Sequence, residues 1–186
     1  EAIILPKTQS FDFLATLAPM IDFKNKLVPL IETSRAIETV TQIAAFKDVV
    51  GLFFGAADAS ASLGCKLAWE PLLYARQRVV LAASMFNLFT IDAPYFYIDK
   101  MAGLKEEAEK VKNLGFTGKA AIHPDQIDHI NEAFFPSAEE KEEAKKVLEE
   151  YQKSGGGAIK VDGQMIDEPI AEAMRLKITL GDEEKD

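Results

Sequence analysis

Apolar runs of strand length alternate with helix-length amphipathic segments from the start of the chain to about residue 123, and this alternation constrains the fold more than any other feature. Ile3–Leu5 is a short apolar strand closed by Pro6, and a helix is expected from about Phe11 to Ile21. Leu27–Ile31 (LVPLI) is the next strand, after which Thr33 or Ser34 is placed to cap a helix carrying Ile37, Val40, Ile43 and Ala44 on one face. Val49–Phe54 (VVGLFF) is apolar throughout, the pattern of a parallel strand covered on both faces. It leads into a polar, glycine-bounded stretch, GAADASASLG, read as a loop, and then a helix over about Glu70 to Phe86. Further strands are expected at Ala93–Ile98 and Lys119–Ile122, separated by an Ala/Glu/Lys helix ending at Leu114-Gly115, where Gly suits the position after the last turn. Strict alternation of five such units implies an α/β fold with a parallel sheet, either doubly wound or a (β/α)8 barrel. A full barrel takes about 250 residues, so five units within 186 residues make an incomplete one.

After His123-Pro124 the pattern changes. A short helix is expected over Asp125–Ala133, and Pro136-Ser137 introduces a strongly charged helix to about Lys153 with Ala144, Val147, Leu148 and Tyr151 on one stripe. Ser154-Gly155-Gly156-Gly157 reads as a hinge, IKVDGQMI as two short strands around a turn, and Glu168–Ile178 as a last helix before an acidic tail. The expected division is barrel units over 1–153 and a C-terminal extension over 154–186. The chain opens at Glu1, without Met, directly on a strand-like run, which is the pattern of a fragment beginning inside a domain.

Charge and composition narrow the function classes. Twenty-one basic against thirty acidic residues give a net charge of −9, which argues against a nucleic-acid or membrane-surface partner, both being polyanionic. Cys65 is alone, so neither an internal disulfide framework nor a CxxC metal or redox site is available. No apolar run is long enough to span a bilayer and no signal-peptide pattern is present, so a cytoplasmic location is expected. Phosphate-binding loops, HExxH, GxSxG and EF-hand patterns are all absent. His123 and His129 are six apart and cannot share a helix face as ligands. The Lys/Glu run from Glu139 to Lys146 is a solvated helix face.

Two carboxylates stand out by position. Glu32 directly follows the strand LVPLI, and Asp58 lies just beyond VVGLFF. In a parallel α/β sheet both fall at the carboxyl edge, where ligands bind. Two carboxylates, completed by water and substrate oxygens, are how Mg²⁺ is usually held. The competing readings are an N-cap role for Asp58 and a dipole-favoured first-turn position for Glu32. Asp167, just before Glu168-Pro169, reads on spacing alone as a helix cap.

The motifs ILPKTQS, LVPLIETSRAI, GLFFGAADASASLG, IDAPYF, GLKEEAEKVKNLGFTGKAAIHPDQI, AFFPS and GGGAIKVDGQMIDEP occur in that order between Ile3 and about Met174. Together they resemble the citrate lyase β-subunit-like family of the HpcH/HpaI aldolase and malyl-CoA lyase superfamily. The resemblance implies a Mg²⁺-dependent (β/α)8 barrel with a C-terminal extension, assembled as a trimer or a multiple of it. It implies cleavage of a 3-hydroxy acyl thioester, citryl or citramalyl in type and carried on CoA or acyl carrier protein, to a keto acid and a shorter acyl thioester. The alternatives are a malyl-CoA lyase or thioesterase on the same site, or a non-catalytic barrel subunit. By the same resemblance Glu32 and Asp58 are the metal ligands, and backbone amides around Ala57 and Asp58 hold the substrate carboxylate. Asp167 becomes the acid/base, delivered into a neighbouring subunit's site, and Lys7 of the PK motif is a site-lining cation. The family's enolate-stabilising Arg lies on an early strand outside this chain; Arg35 and Arg76 do not sit in its motif. No residue pattern marks contacts to CoA or a carrier.

Overall fold

The computed structural model describes residues 2–20, 26–155 and 157–182. The Ile21 end of the first expected helix, Gly156 of the hinge and the last four residues of the acidic tail lie outside them. The described chain divides into two compact units, Glu1–Ile130 and Asn131–Asp186.

In the first unit five parallel strands, β1 (Ala2–Leu5), β2 (Lys26–Ile31), β3 (Gly51–Phe54), β4 (Phe89–Asp92) and β5 (Gly118–Lys119), form one sheet in the order of the sequence. A doubly wound sheet reverses its strand order at a switch point, whereas successive strands of a (β/α)8 barrel are neighbours throughout. The consecutive order is therefore that of a barrel arc. Leu27, Val28, Ile31, Leu52 and Phe54 are buried in it. Helix α2 (Ser34–Ala44) starts where Thr33 accepts the Ala36 N–H at 3.1 Å, and it buries the Ile37, Val40, Ile43 and Ala44 stripe that its spacing dictates. Helix α4 (Trp69–Ser84) packs on α2 and on β3 and β4 through Leu72, Ala75, Val79 and Ala82. Helix α5 (Met101–Leu114) stops at Gly115, whose φ of 102° suits a residue without Cβ.

Two local expectations are corrected. GAADASASLG is largely a helix, α3 (Ala56–Leu63), rather than a loop. Its alanines favour the helix, Gly55 begins it, and Gly64 at φ 67° closes it by donating to the Ser60 and Ala61 carbonyls. The fourth strand lies at Phe89–Asp92, ahead of the expected Ala93–Ile98. Phe89–Asp92 pairs with β3 on one side and β5 on the other, whereas Pro94 has no N–H to give a ladder. The fifth strand is likewise shorter than expected, Gly118–Lys119.

In the second unit α7 (Ala138–Lys153) opens on a capping box in which Ser137 accepts the Glu140 N–H at 3.1 Å and Glu140 accepts the Ser137 N–H at 2.8 Å. The antiparallel pair β6 (Ile159–Val161) and β7 (Gln164–Ile166) turns at Asp162-Gly163, both with positive φ as a tight hairpin needs. Val147, Leu148 and Tyr151 of α7 share a core with Ile166 and with Ala171 of the last helix, α8 (Glu168–Asp182). The other α-helices among the described residues are α1 (Phe11–Leu17) and α6 (Ile127–Phe134).

Candidate functional site

The carboxyl ends of β1, β2 and β3 bring Lys7, Glu32 and Asp58 together. Lys7, at φ 54°, turns its backbone N–H onto Glu32 Oε1 at 2.7 Å. Its ammonium lies 2.6 Å from Asp58 Oδ1 and 3.6 Å from Glu32 Oε1, so residues 51 apart in sequence meet across one cation-sized point. Glu32 is 3% exposed, while Lys7 and Asp58 face solvent. The Lys7 hydrogen bond holds the Asp58 carboxyl below its ordinary range and the Lys7 ammonium above its own, against the opposing effect of desolvation on each. Gly55 makes the arrangement sterically feasible: a Cβ there would lie 2.6 Å from Glu32 Cβ and 3.1 Å from its Oε2.

Neither carboxylate caps a helix. Thr33 caps α2, one residue beyond Glu32, and Asp58 lies inside the first turn of α3. That helix begins at Gly55 with no side-chain cap, so its first amides, including those of Ala57 and Asp58, lack an intrahelical partner. The donor set fits a hard divalent cation: two carboxylate oxygens converge where Lys7 already places positive charge, and among the described residues no third His, Cys, Asp or Glu joins them. That leaves the remaining coordination positions to water and ligand oxygens, the usual state of Mg²⁺.

Asp167 belongs to the second unit, between β7 and α8. Its carbonyl accepts the Ala171 N–H at 2.9 Å and its Oδ1 accepts the Ile170 N–H at 3.4 Å, the cap that its spacing predicts. Burial, with Glu168 and Asp167 nearby, pushes the Tyr151 hydroxyl above its ordinary range.

Sequence reasoning missed a buried ionic cluster at the same sheet edge. Arg76 Nε donates to Asp92 Oδ1 at 2.8 Å, and Lys119 Nζ donates to Asp92 Oδ2 at 2.8 Å, to the Ala93 carbonyl and to Glu107 Oε1, both at 2.7 Å. The guanidinium is stacked against Trp69, 4.8 Å from its centroid, and Phe54, at 5.1 Å. A signal was present: Asp92 and Lys119 are the last residues of adjacent strands, a position as informative as that of Glu32.

Residues 2–124 match the HpcH/HpaI aldolase/citrate lyase family. The chain belongs to that family. It is 33% identical over 205 residues to the mitochondrial citramalyl-CoA lyase of Homo sapiens, covering 97% of this chain and 60% of that relative. It is also 33% identical to a citrate lyase subunit beta-like protein of Mycobacterium tuberculosis, covering 90% of this chain and 62% of the relative. The HpcH/HpaI chain thus spans about three-fifths of the length of these curated relatives. Among solved structures, CitE of Mycobacterium tuberculosis in complex with magnesium, acetoacetate and coenzyme A is similar at 31% identity and a TM-score of 0.86, over 97% of this chain and 68% of that one. RipC of Yersinia pestis is 42% identical with a TM-score of 0.70, over 74% of this chain and 65% of its own. Among the described residues no helix is long and apolar enough to cross a membrane.

Proposed function

We propose that this protein is a Mg²⁺-dependent carbon–carbon lyase that cleaves a citryl- or citramalyl-type thioester, carried on CoA or acyl carrier protein, to a keto acid and an acyl thioester. The observation that carries the reading is the meeting of Glu32 and Asp58 on one cation-sized point at the carboxyl edge of a parallel sheet. Kinship with citramalyl-CoA lyase and with a magnesium- and coenzyme A-bound relative supports it.

In this proposal Glu32 and Asp58 hold the cation, and the first-turn amides of Ala57 and Asp58 hold the substrate carboxylate. When bound, Mg²⁺ supplies Lewis acidity that makes a substrate hydroxyl easier to deprotonate. Asp167, offered by the 154–186 extension to the site of a neighbouring subunit, accepts that proton. The hydroxyl becomes the keto group as the carbon–carbon bond breaks, and its electron pair leaves on the thioester α-carbon as an enolate. A proton returned to that carbon completes the acyl thioester. Lys7 supplies positive charge at the site and screens the Glu32–Asp58 repulsion. Assembly as a trimer or a multiple of it, and a cytoplasmic location, belong to the same proposal.

The deciding test is keto-acid release by the full-length natural chain from citryl-, citramalyl- and malyl-CoA, with and without Mg²⁺. Mg²⁺-dependent oxaloacetate or pyruvate is the expected product. Glyoxylate would move the assignment to malyl-CoA, and silence from folded, metal-binding protein would favour a carrier-protein substrate or a non-catalytic subunit.

A further inference from the structure

Asp167 is held only loosely by its own side chain. Its Oδ1 meets the Ile170 N–H at 3.4 Å, beyond the usual range of about 2.7–3.2 Å for such a bond, and the residue is half-buried. A proton acceptor must lie within hydrogen-bond reach of the proton it takes, and a misplacement of about 1 Å costs about a hundredfold in rate. The residues on either side of Asp167 supply the order that its carboxylate does not.

On the amino side Ile166 ends β7, where it is paired with Ile159 of β6. It is 1% exposed and shares the core of the second unit with Val147, Leu148 and Tyr151 of α7. On the carboxyl side Glu168 and Pro169 are the first two residues of α8, and the proline ring fixes its own φ. The Glu168 carboxylate is then held twice. Arg175, two turns further along α8, donates Nη1–H to Glu168 Oε1 at 2.7 Å, and the Tyr151 hydroxyl donates to Glu168 from the core. None of the roles above uses that hydroxyl, although Tyr151 is 4% exposed.

Each member is kept in the state this arrangement needs. Burial, then the closeness of Glu168 and Asp167, keeps the proton on Tyr151, so it remains a donor. Arg175 first and Tyr151 second hold the Glu168 carboxyl below its ordinary range, so it remains an acceptor for both. A phenylalanine would fill the core at residue 151 without the cost of burying a hydroxyl; what the hydroxyl adds is its bond to Glu168. The Glu168 and Arg175 side chains are exposed, and a pair so placed adds little to stability. Its consequence is geometric: the core of the second unit is tied, through Tyr151 and Glu168, to the backbone one residue from Asp167.

We infer that Tyr151, Glu168 and Arg175 form a clamp that positions Asp167 for proton transfer. The three are positioning residues, and the inference rests on the acid/base role given to Asp167 in the lyase reading above.

The test uses the full-length natural chain, with thioester cleavage by the wild type and by Asp167→Asn as references. Tyr151→Phe removes one hydroxyl and keeps the ring in the core. Glu168→Ala removes the shared acceptor from an exposed position, so the core is untouched should Tyr151→Phe fold poorly. Each should lower kcat about ten- to a hundredfold while KM, Mg²⁺ affinity and the unfolding midpoint stay as in the wild type. Each should also raise the solvent deuterium isotope effect on kcat, because proton transfer becomes the slow step. Glu168→Gln keeps a carbonyl acceptor for both donors and should recover most of the kcat that Glu168→Ala loses. Wild-type kcat in both Tyr151→Phe and Glu168→Ala overturns the clamp and leaves the lyase reading intact. A fall in kcat that tracks a lower unfolding midpoint, with an unchanged isotope effect, also overturns it, since the residues would then only support the fold. Turnover retained by Asp167→Asn, or no cleavage by the wild type, overturns the reading on which the clamp rests, and the clamp with it.

Discussion

At Asp58 a single oxygen decides between two cations. Its Oδ1 takes the Lys7 ammonium at 2.6 Å, and in the proposed site the same carboxylate is offered to a divalent ion. Asp58→Asn keeps the shape and hydrogen bonding but removes the charge, so Mg²⁺ affinity should fall at least tenfold and turnover should vanish, with an unchanged circular dichroism spectrum; retained turnover would remove Asp58 from the metal site. Lys7 has the opposite sign. With Lys7 present the three groups sum to −1, and Lys7→Met leaves −2 facing the cation. Mg²⁺ should therefore bind Lys7→Met more tightly by calorimetry, while substrate binding weakens. Equal or weaker Mg²⁺ binding would show that the ammonium does not share the carboxylates' charge. Asp92 shows the same rule in a dry setting: fully buried, it is retained because Arg76 and Lys119 each take one of its oxygens.

Elements place these residues through small steric permissions. The Glu32 carboxylate leans on the turn between β3 and α3 because Gly55 leaves that space open. Gly55→Ala should push Glu32 off the site, destabilise the fold by about 1–3 kcal/mol in urea unfolding and weaken Mg²⁺ binding; unchanged metal affinity would mean the turn does not position Glu32. The strand ends explain how much of the site was legible. Glu32 and Asp58 each follow an apolar run, which is a local pattern, so their place at the sheet edge could be read directly. The helix in GAADASASLG was hidden because small polar residues resemble a loop until Gly55 and Gly64 are seen as its two ends. The fourth strand was misplaced by a few residues because FTID gains its ladder from β3 and β5, partners that are remote in sequence.

At the scale of the whole molecule, the proposed chemistry needs groups from both compact units: Lys7, Glu32 and Asp58 in one and Asp167 in the other. If Asp167 serves a neighbouring subunit's site, Asp167→Asn protein should bind thioester without cleaving it. Mixing it with Glu32→Gln protein, dead in the metal site, should restore part of the activity. Verified mixed oligomers with no recovery would confine Asp167 to its own subunit's chemistry or to the cap bond it makes to Ile170.

Periodicity and punctuation in the chain were enough for the parallel α/β class, the stripe of α2, the start of α7 at Pro136-Ser137, the two short strands around a turn in IKVDGQMI and the strand-end carboxylates. Each rests on residues within a turn or a strand of one another, where sterics and hydrogen bonding act locally. Three-dimensional packing alone set the consecutive strand order, the meeting of Lys7 with Asp58 across 51 residues, and the pairing of Arg76, Lys119 and Glu107 around Asp92. Charge pairing and sheet register are properties of segments brought together by the fold, and a one-dimensional pattern carries no record of which distant partner neutralises a buried charge.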